Sequence, residues 1–278
     1  MRAVGRRKGS LLVLAMLVAL VGAGCGSDEP TDTGAQSGGT GLSGLITDGT
    51  LTVATELPAP PFWIGEDYDS LTGGFEVDLA KEIAKRLNLG TTKFIEMPFA
   101  GLVAGQQCPC DIDLSQVTIT DERAKVVQFT EPYFDANQGI LVKKGTKVGS
   151  LEEAKGLRWG AQINTTGVAY INDKIKPSSE AQVYNTTVDA FTALSAGQID
   201  AVLLDTPIVV GAVKANQVPD GEVVGQFETG EKYGAVLNKD SKNLAAFNQV
   251  ITTLKSEGFI DQLYKKYFVD PATVPVIS

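Results

Sequence analysis

The chain has 278 residues, with 24 Lys and Arg against 33 Asp and Glu and a formal net charge of −9. It contains no histidine, which excludes histidine-based catalytic triads and histidine metal ligands. The absence of histidine therefore disfavours many enzyme classes. An acidic protein is also a poor binder of nucleic acid and of anionic lipid, so the net charge disfavours nucleic-acid partners.

The first 24 residues have the features of an export signal. The basic start MRAVGRRKGS precedes the apolar run LLVLAMLVALVGAG, which is too short to span a bilayer comfortably. The run stops at Cys25, and the segment before it resembles the lipobox of bacterial lipoproteins, although Gly22 holds a position where leucine is usual. We therefore predict a lipoprotein signal peptide over 1–24 and a lipid anchor on Cys25, with a plain secretory signal as the alternative.

The next tract, GSDEPTDTGAQSGGTGLSG, is too polar and too rich in small residues to bury apolar surface. It predicts a flexible tether over 25–44. Removing residues 1–24 removes four basic residues and no acids, so the formal net charge of the remaining chain is −13. The remainder is long enough for one large domain or for two smaller ones.

From residue 51 onward, short apolar runs alternate with helical patterns, which is typical of α/β sheets covered by helices. The first unit has an amphipathic helix in GFEVDLAKEIAKRLNLG and strand candidates in LTVAT, TKFIEM, DIDLSQV, VVQF and GILVKKG. The second unit has strand candidates in LRWGA, AQVY and IDAVLLD, followed by helices near 241–257 and up to Phe268. Two α/β units in succession predict two lobes.

Cys108 and Cys110 are the cysteines that remain once Cys25 is assigned to lipid. Two cysteines cannot complete a four-ligand zinc site, and disulfides persist outside the cytoplasm. We predict a disulfide within this CPC turn, with a pair of free thiols as the alternative. No metal and no cofactor is expected.

Four loops are candidates for a binding site, because ligands of open α/β sheets lie beyond the carboxyl ends of the strands. The loops are ATELPAPPFW, QVTITDER, QINTTG and LLDTP, and they carry hydroxyl groups, aromatic rings, the cation Arg123 and the acid Asp205. Such a set suits a small zwitterion. Arg123 would bind its carboxylate together with helix-terminal N–H groups, and Asp205 would accept hydrogen bonds from its ammonium.

Arg123 follows Asp121 and Glu122 at the predicted start of a short helix. The helix dipole favours anions in a first turn, so a cation there is unfavourable unless its partner lies elsewhere. A surface arginine paired with its neighbours is the alternative, and such pairs contribute little to stability.

Three blocks, GGFEVDLAKEIAKRL, TITDERAKVVQFTEPYF and IDAVLLDTP, closely resemble the extracytoplasmic solute-binding proteins of polar amino-acid ABC importers, solute-binding protein family 3. The resemblance runs from about Gly49 to Phe268, and the glutamine binders are close in pattern. It implies a two-lobed α/β fold of the type II periplasmic-binding-protein class with two hinge strands near 134–140 and 229–235. Lobe 1 would comprise 45–135 and 233–278, and lobe 2 would comprise 136–232.

The resemblance also implies roles for individual residues. The arginine that grips the ligand carboxylate in the family falls on Arg123, and the threonine that helps to hold that carboxylate falls on Thr118. The aspartate that grips the ammonium falls on Asp205. The aromatic residue that packs on the ligand falls on Phe99, and an acid that faces the ligand side chain falls on Glu56. The alternatives are a helix cap for Asp205, a core position for Phe99 and a solvated loop acid for Glu56.

The sequence departs from the family pattern at several positions. Ala59 stands where relatives carry an aromatic residue, so we expect Phe62 or Trp63 to supply a second aromatic wall. Gln116 replaces a common glycine, and Gln162 replaces the lysine of the glutamine binder. The predicted ligand contacts are Glu56, Phe62, Trp63, Phe99, Ser115, Gln116, Thr118, Arg123, Gln162, Thr165, Thr166 and Asp205.

The predicted function is that of an extracytoplasmic, lipid-anchored, monomeric receptor that closes on a polar L-amino acid and delivers it to an ABC transporter permease. A carboxylate at Glu56 favours a cationic or amide side chain, basic ahead of amide, and disfavours an acidic one. A periplasmic dehydratase on the same fold is the alternative from another class, and it would need a positioned general acid. A sensing domain that feeds a receptor is a third interpretation.

Overall fold

Two five-stranded sheets, each covered by helices, organise the residues that the computed structural model describes, 41–268 and 273–278. In the first sheet four strands run in one direction, and the fourth strand in spatial order runs antiparallel to them. In spatial order this sheet contains β2 (Thr91–Glu96), β1 (Thr50–Thr55), β3 (Ile112–Asp113), β10 (Val236–Asn238) and β4 (Val127–Phe129). The loops that follow β1 and β3 therefore leave the same edge of the sheet, and they carry Glu56 and Ser115.

The second sheet has the same mixed character, because four strands run in one direction and the fourth strand in spatial order runs antiparallel to them. In spatial order it contains β7 (Gln182–Tyr184), β6 (Trp159–Gln162), β8 (Ala201–Asp205), β5 (Phe134–Lys143) and β9 (Gly221–Tyr233). Because β6 and β8 run parallel, Gln162 and Asp205 lie at the same edge of this sheet.

Helices cover both sheets. The first lobe contains α1 (Phe75–Arg86), α2 (Phe99–Val103), α3 (Asp121–Ala124), α8 (Leu244–Ser256) and α9 (Phe259–Tyr267). The second lobe contains α4 (Leu151–Ala154), α5 (Thr166–Tyr170), which continues as a π-helical turn over Ile171–Ile175, α6 (Thr187–Ser195) and α7 (Thr206–Lys214). The apolar residues of α1 recur at four-residue spacing, as the sequence predicts, and all of them are buried in the core of lobe 1.

The strand predicted in DIDLSQV covers only Ile112–Asp113. The chain leaves the extended conformation at Gln116, whose φ of 51° lies in the left-handed region. After this bend the TITDER segment runs beside β9, where Thr118 forms a bridge with Tyr233.

Strands β5 and β9 connect the two lobes. Phe134 pairs with Tyr233 within the core of lobe 1, whereas Ile140 and Phe227 belong to the core of lobe 2. The crossing thus lies in the region where the sequence predicts the hinge.

Both ends of the described chain depart from the predicted boundaries. The end of the predicted tether is docked on lobe 1, because Ser43 exchanges backbone hydrogen bonds of 2.9 and 3.1 Å with the Asn243 side chain and Leu42 packs on the core. The rest of the tether, the signal peptide and Cys25 lie outside the described residues.

The assignment of 233–278 to lobe 1 is wrong for the final residues. Helices α8 and α9 do pack on α1, but Ile277 enters the core of lobe 2 and Val276 bridges Gln226 of β9. The apolar side chain of Ile277 accounts for this, since it is buried against β9 beside Gly225, where a larger residue would clash.

Cys108 and Cys110 form a disulfide in the loop before β3. Asn238 of β10 fixes this loop by accepting from the Cys108 N–H at 2.8 Å and donating to its carbonyl oxygen at 2.9 Å. Across 41–268 and 273–278, no helix combines the length and apolarity that a membrane crossing requires.

Candidate functional site

A cavity of about 60 Å³ lies between the two lobes. All of the predicted ligand contacts except Phe62 and Trp63 line this cavity. They are Glu56, Phe99, Ser115, Gln116, Thr118, Arg123, Gln162, Thr165, Thr166 and Asp205. A larger cavity of about 930 Å³ is lined by other residues, among them Pro60, Phe134 and Tyr264. None of the predicted contacts lines the larger cavity, so we place the site where the charged and polar groups converge.

Arg123 is buried between the lobes and is 8% exposed. Its Nη1 donates to the Thr118 carbonyl oxygen at 2.7 Å, and its Nη2 donates to the Asn164 carbonyl oxygen of lobe 2 at 3.0 Å. The guanidinium carbon lies 5.4 Å from the centre of the Phe99 ring, within cation–π range. Arg123 is therefore not the surface arginine of the alternative interpretation.

The expected conflict between Arg123 and the helix dipole is weak, because α3 has only four residues and Arg123 lies in its last turn as well as its first. The unfavourable term is desolvation. Burial lowers the pKa of the Arg123 guanidinium, and the charges of Asp205 and Glu231 act in the opposite direction.

Asp205 holds the N-cap position of α7, but its side chain makes no capping hydrogen bond. The carboxylate instead accepts from the Gln138 side-chain amide and from the Tyr233 hydroxyl, the latter at 2.5 Å. Burial and the charge of Glu231 raise the pKa of Asp205 to about 7, while Tyr233, Gln138 and Arg123 act to lower it. The helix-cap alternative is thus wrong, and Asp205 presents a buried acid opposite Arg123.

Glu231 and Gln138 do not line the cavity, but they bond to side chains that do, and the sequence analysis did not identify them. Glu231 Oε2 accepts from the hydroxyls of Thr118 at 2.8 Å and Thr166 at 2.9 Å. The Gln138 amide nitrogen lies 3.2 and 3.1 Å from the two Glu231 oxygens and also donates to Asp205. A sequence signal was present, since Glu231 lies two residues before the buried Tyr233 on β9 and therefore points to the same face of the strand.

Glu56 is held at the other end of the cavity. Its Oε2 accepts from the Phe99 N–H at 2.8 Å, and its Oε1 accepts from the Gln162 side-chain amide at 2.7 Å. Gln162 in turn accepts from the Thr187 hydroxyl at 2.7 Å. Glu56 is therefore not a solvated loop acid, because it joins lobe 1 to lobe 2 at the cavity.

Phe62 and Trp63 were wrongly predicted as cavity walls. Phe62 is fully buried in lobe 1, where its ring packs against Phe75 and Phe134. Trp63 is 1% exposed, and its indole N–H lies 2.6 Å from the Glu76 carboxylate. These large rings bury more apolar area in the core than a cavity wall could offer.

Ala59 and Phe99 do line the cavity. The position of Ala59 thus faces the site without presenting a ring there. Phe99 contributes an aromatic face to the cavity and is only partly buried, so it is not a plain core residue.

Glu76 supports the site from behind. It is fully buried and accepts hydrogen bonds from Trp63, from the Tyr133 hydroxyl and from both the backbone and the side chain of Gln116. Burial raises the pKa of Glu76 to about 6 against the effect of these donors. The Gln116 side chain therefore serves the backbone bend that positions Thr118. The sequence signal for this role was an acid on the apolar face of α1.

The side chains of Ser115 and Thr165 lie within hydrogen-bond distance of groups in their own lobes. The Ser115 hydroxyl lies 3.4 Å from that of Thr55, and Thr165 caps α5 by accepting from the Val168 N–H at 3.3 Å. Thr165 also donates to the Gln162 carbonyl oxygen at 2.7 Å.

Comparison with known proteins identifies relatives over nearly the whole body. The model of the bacterial extracellular solute-binding proteins, family 3, matches residues 51–270. A glutamine-binding protein of an ABC transporter from Bacillus subtilis is 31% identical over 273 residues, which cover 95% of this chain and 98% of the relative.

Solved structures agree. An ancestral arginine-binding protein bound to arginine has a TM-score of 0.70 and 36% identity, over 80% of this chain and 99% of that one. An ancestral arginine-binding protein bound to glutamine has a TM-score of 0.71 and 36% identity over the same shares.

These relatives are solute-binding proteins and not enzymes. The two-lobed α/β fold expected from the sequence is confirmed by the structural neighbours. The matched residues include both sheets and the cavity between them. This chain belongs to the bacterial extracellular solute-binding proteins, family 3.

Proposed function

We propose that the protein is an extracytoplasmic receptor that closes on one polar L-amino acid and delivers it to the permease of an ABC transporter. The observation that carries the proposal is the placement of Arg123 from lobe 1 and Asp205 from lobe 2 at one buried cavity. A ligand with one carboxylate and one ammonium group would neutralise both charges, which burial otherwise penalises.

Arg123 binds the ligand carboxylate in this proposal. A guanidinium has five N–H donors, and the two carbonyl groups that hold Arg123 use only part of them. Because one of these carbonyls belongs to Asn164 in lobe 2, Arg123 is in its binding position only when the lobes are together. Asp205 accepts from the ligand ammonium, with its orientation fixed by Gln138 and Tyr233.

Glu56 and Gln162 form the end of the site that contacts the ligand side chain. The Glu56 carboxylate accepts hydrogen bonds from a side chain with N–H groups and repels an acidic side chain. The proposed ligands are therefore cationic or amide amino acids, with cationic ones preferred. Relatives named for arginine and for glutamine support this range.

A screen of the twenty amino acids by thermal shift tests the proposal directly. A ligand that binds only the native state raises the melting temperature by mass action. We expect a rise with arginine, lysine or glutamine and a smaller one or none with glutamate or aspartate. No rise with any amino acid would contradict the proposal, and turnover of prephenate or arogenate by the same preparation would support the enzyme alternative instead.

The lipid anchor is part of the proposal, and it rests on the apolar run that ends at Cys25 and on the polar tract after it. Expression of wild type and Cys25→Ser in a bacterial host, followed by membrane fractionation, tests it. We expect the variant to be released or to accumulate as an unprocessed precursor. A Cys25→Ser protein that stays on the membrane at its mature size would show that Cys25 carries no anchor.

A further inference from the structure

The carboxylate of Glu231 is held by groups from both lobes. Thr118 belongs to lobe 1 and Thr166 to lobe 2, and both hydroxyls donate to the same Glu231 oxygen at 2.8 and 2.9 Å. The strand that carries Glu231 is itself one of the two connections between the lobes. Glu231 therefore occupies a defined place in the site and is not a mobile side chain at its edge.

Glu231 and Asp205 also share a donor. The side-chain amide of Gln138 donates to Asp205 and lies within 3.2 Å of both oxygens of Glu231. Two carboxylates brought together in a poorly hydrated site repel each other unless a proton or a cation lies between them. Arg123 acts on both charges, but its guanidinium is bonded to the carbonyl groups of Thr118 and Asn164.

We infer that Glu231 and Asp205 together bind the α-ammonium group of the ligand, which makes Glu231 a further ligand-binding residue. The inference rests on the proposed function. An ammonium group has three N–H donors and one positive charge, so it can serve two carboxylates at once. A keto or hydroxy acid brings a carboxylate without that cation, and the acid pair therefore selects α-amino acids over both.

The hydrogen bonds of Thr118 and Thr166 distinguish two possible roles of Glu231, which are binding the ligand ammonium and competing with the ligand carboxylate. Each threonine hydroxyl has one hydrogen to donate, and Thr118 and Thr166 both donate to Glu231. The ligand carboxylate is then left to Arg123 and to backbone N–H groups. If the ligand carboxylate took these hydroxyls instead, Glu231 would compete with it, and neutralising Glu231 would strengthen binding. The two roles predict changes of opposite sign.

The acid pair also predicts a dependence on pH. Asp205 faces Glu231 and Tyr233 on β9, Gln138 on β5 and Arg123 on α3. Burial and the charge of Glu231 raise the pKa of Asp205 to about 7, so below that pH the ligand ammonium must displace a proton. Affinity should rise between about pH 5.5 and 8 and then level off, and loss of the Glu231 charge should move the rise to lower pH.

Titration calorimetry on four proteins tests the inference: wild type, Glu231→Gln, Glu231→Asp and Glu228→Gln. Glu228 is the matched control, because it lies on the same strand but is exposed. The probes are L-arginine, L-glutamine and whichever of the twenty amino acids gives the largest thermal shift. We expect Glu231→Gln to weaken binding about tenfold, Glu231→Asp to recover part of the loss and Glu228→Gln to match wild type.

The same titrations at pH 5.5, 6.5, 7.5 and 8 separate a ligand contact from a purely structural role, which would leave the pH profile in place. Equal or tighter binding by Glu231→Gln overturns the inference. If Glu231→Gln does not fold, a wild-type affinity that stays constant over this pH range overturns it as well. Failure of wild type to bind any amino acid overturns the proposed function, which is a different result.

Discussion

The side-chain amide of Gln162 donates to the Glu56 carboxylate across the cleft at 2.7 Å. The other Glu56 oxygen accepts from the Phe99 N–H, so the acid expected to select the ligand side chain is fixed from both lobes. A fixed carboxylate contributes more to selectivity than a mobile one, because a bound donor does not have to order it. Under the proposed function, the Glu56–Gln162 pair would thus link selectivity to lobe closure.

Glu56→Gln should change which amino acid binds best. We expect affinity for arginine and lysine to fall about tenfold, because a charge-assisted hydrogen bond becomes a neutral one, and affinity for glutamine to change less. Calorimetric titration with arginine, lysine, glutamine and glutamate measures this. Glu66→Gln is the control, since Glu66 is exposed in the same lobe. Glutamate as the tightest ligand of wild type, or an unchanged ranking in Glu56→Gln, would show that Glu56 does not select the ligand.

Arg123→Lys should weaken the binding of every amino acid by on the order of 100-fold. A lysine ammonium cannot hold the carbonyl groups of Thr118 and Asn164 and also pair side by side with a carboxylate. Arg158→Lys is the matched control, because Arg158 pairs with Asp200 at the surface of lobe 2. Binding by Arg123→Lys within a few-fold of wild type would exclude a paired, fork-like contact with the ligand.

Stability in the absence of an added amino acid should fall as pH rises. The pKa of Asp205 is raised to about 7 and that of Glu76 to about 6, so the folded protein binds more protons than the unfolded chain between about pH 4 and 7. This contribution is complete below about pH 4 and is lost by about pH 7. We expect a lower melting temperature at pH 8 than at pH 5.5, by about 2 to 4 °C per kcal/mol lost.

Asp205→Asn and its control Asp200→Asn test which carboxyl groups cause the change of melting temperature with pH. Asp205→Asn removes one of the three buried carboxyl groups whose pKa is raised, the others being Glu76 and Asp113, and should make the dependence on pH less steep. Asp200→Asn should leave it unchanged, because Arg158 holds the pKa of Asp200 below its ordinary value and therefore outside the measured range. A melting temperature that rises from pH 5.5 to 8 would contradict the assignment of raised pKa values to the buried acids.

Ligand binding should reduce the radius of gyration. The contacts that join the lobes at the cavity, including Arg123 with the Asn164 carbonyl and Gln162 with Glu56, require the lobes to be together. A ligand that binds across these groups shifts the population toward the closed form. Small-angle scattering of wild type with and without arginine or glutamine measures this, with Arg123→Lys as the control. Identical profiles with and without a bound ligand would exclude closure.

Much of the fold follows from pattern in the sequence. The apolar spacing of Phe75, Leu79 and Ile83 predicts α1, and the capping pair of Ser150 and Glu153 marks the start of α4, where Ser150 accepts from the Glu153 N–H. The helix and strand periods are local properties of the chain. They can therefore be predicted without knowledge of the tertiary contacts.

The parts that the sequence analysis missed depend on long-range contacts. Phe62 and Trp63 follow the first strand just as a cavity wall would, and only their packing against Phe75, Phe134 and Phe94 shows that they belong to the core. Glu231 is 108 positions from Arg123 in the chain. No spacing rule connects residues so far apart.

The TITDER motif located Arg123 because the local chain carries its signature. The partners of Arg123 were not visible in that motif, since the Asn164 carbonyl comes from the other lobe and the Glu231 charge comes from the hinge strand. Composition gave no warning of a second inward-facing acid. It counts charges without placing them.

The two ends of the described body are fastened to opposite lobes: Ser43 to Asn243 in lobe 1, and Ser278 through its carbonyl oxygen to Leu151 in lobe 2 at 3.4 Å. Rotation of one lobe against the other would therefore change the distance between Ser43 and Ser278. A donor dye placed near residue 41 and an acceptor dye placed after Ser278 would convert closure into a change in energy transfer, with no label inside the cleft. If the proposed function holds, the native connectivity thus gives the protein the layout of a fluorescent amino-acid sensor.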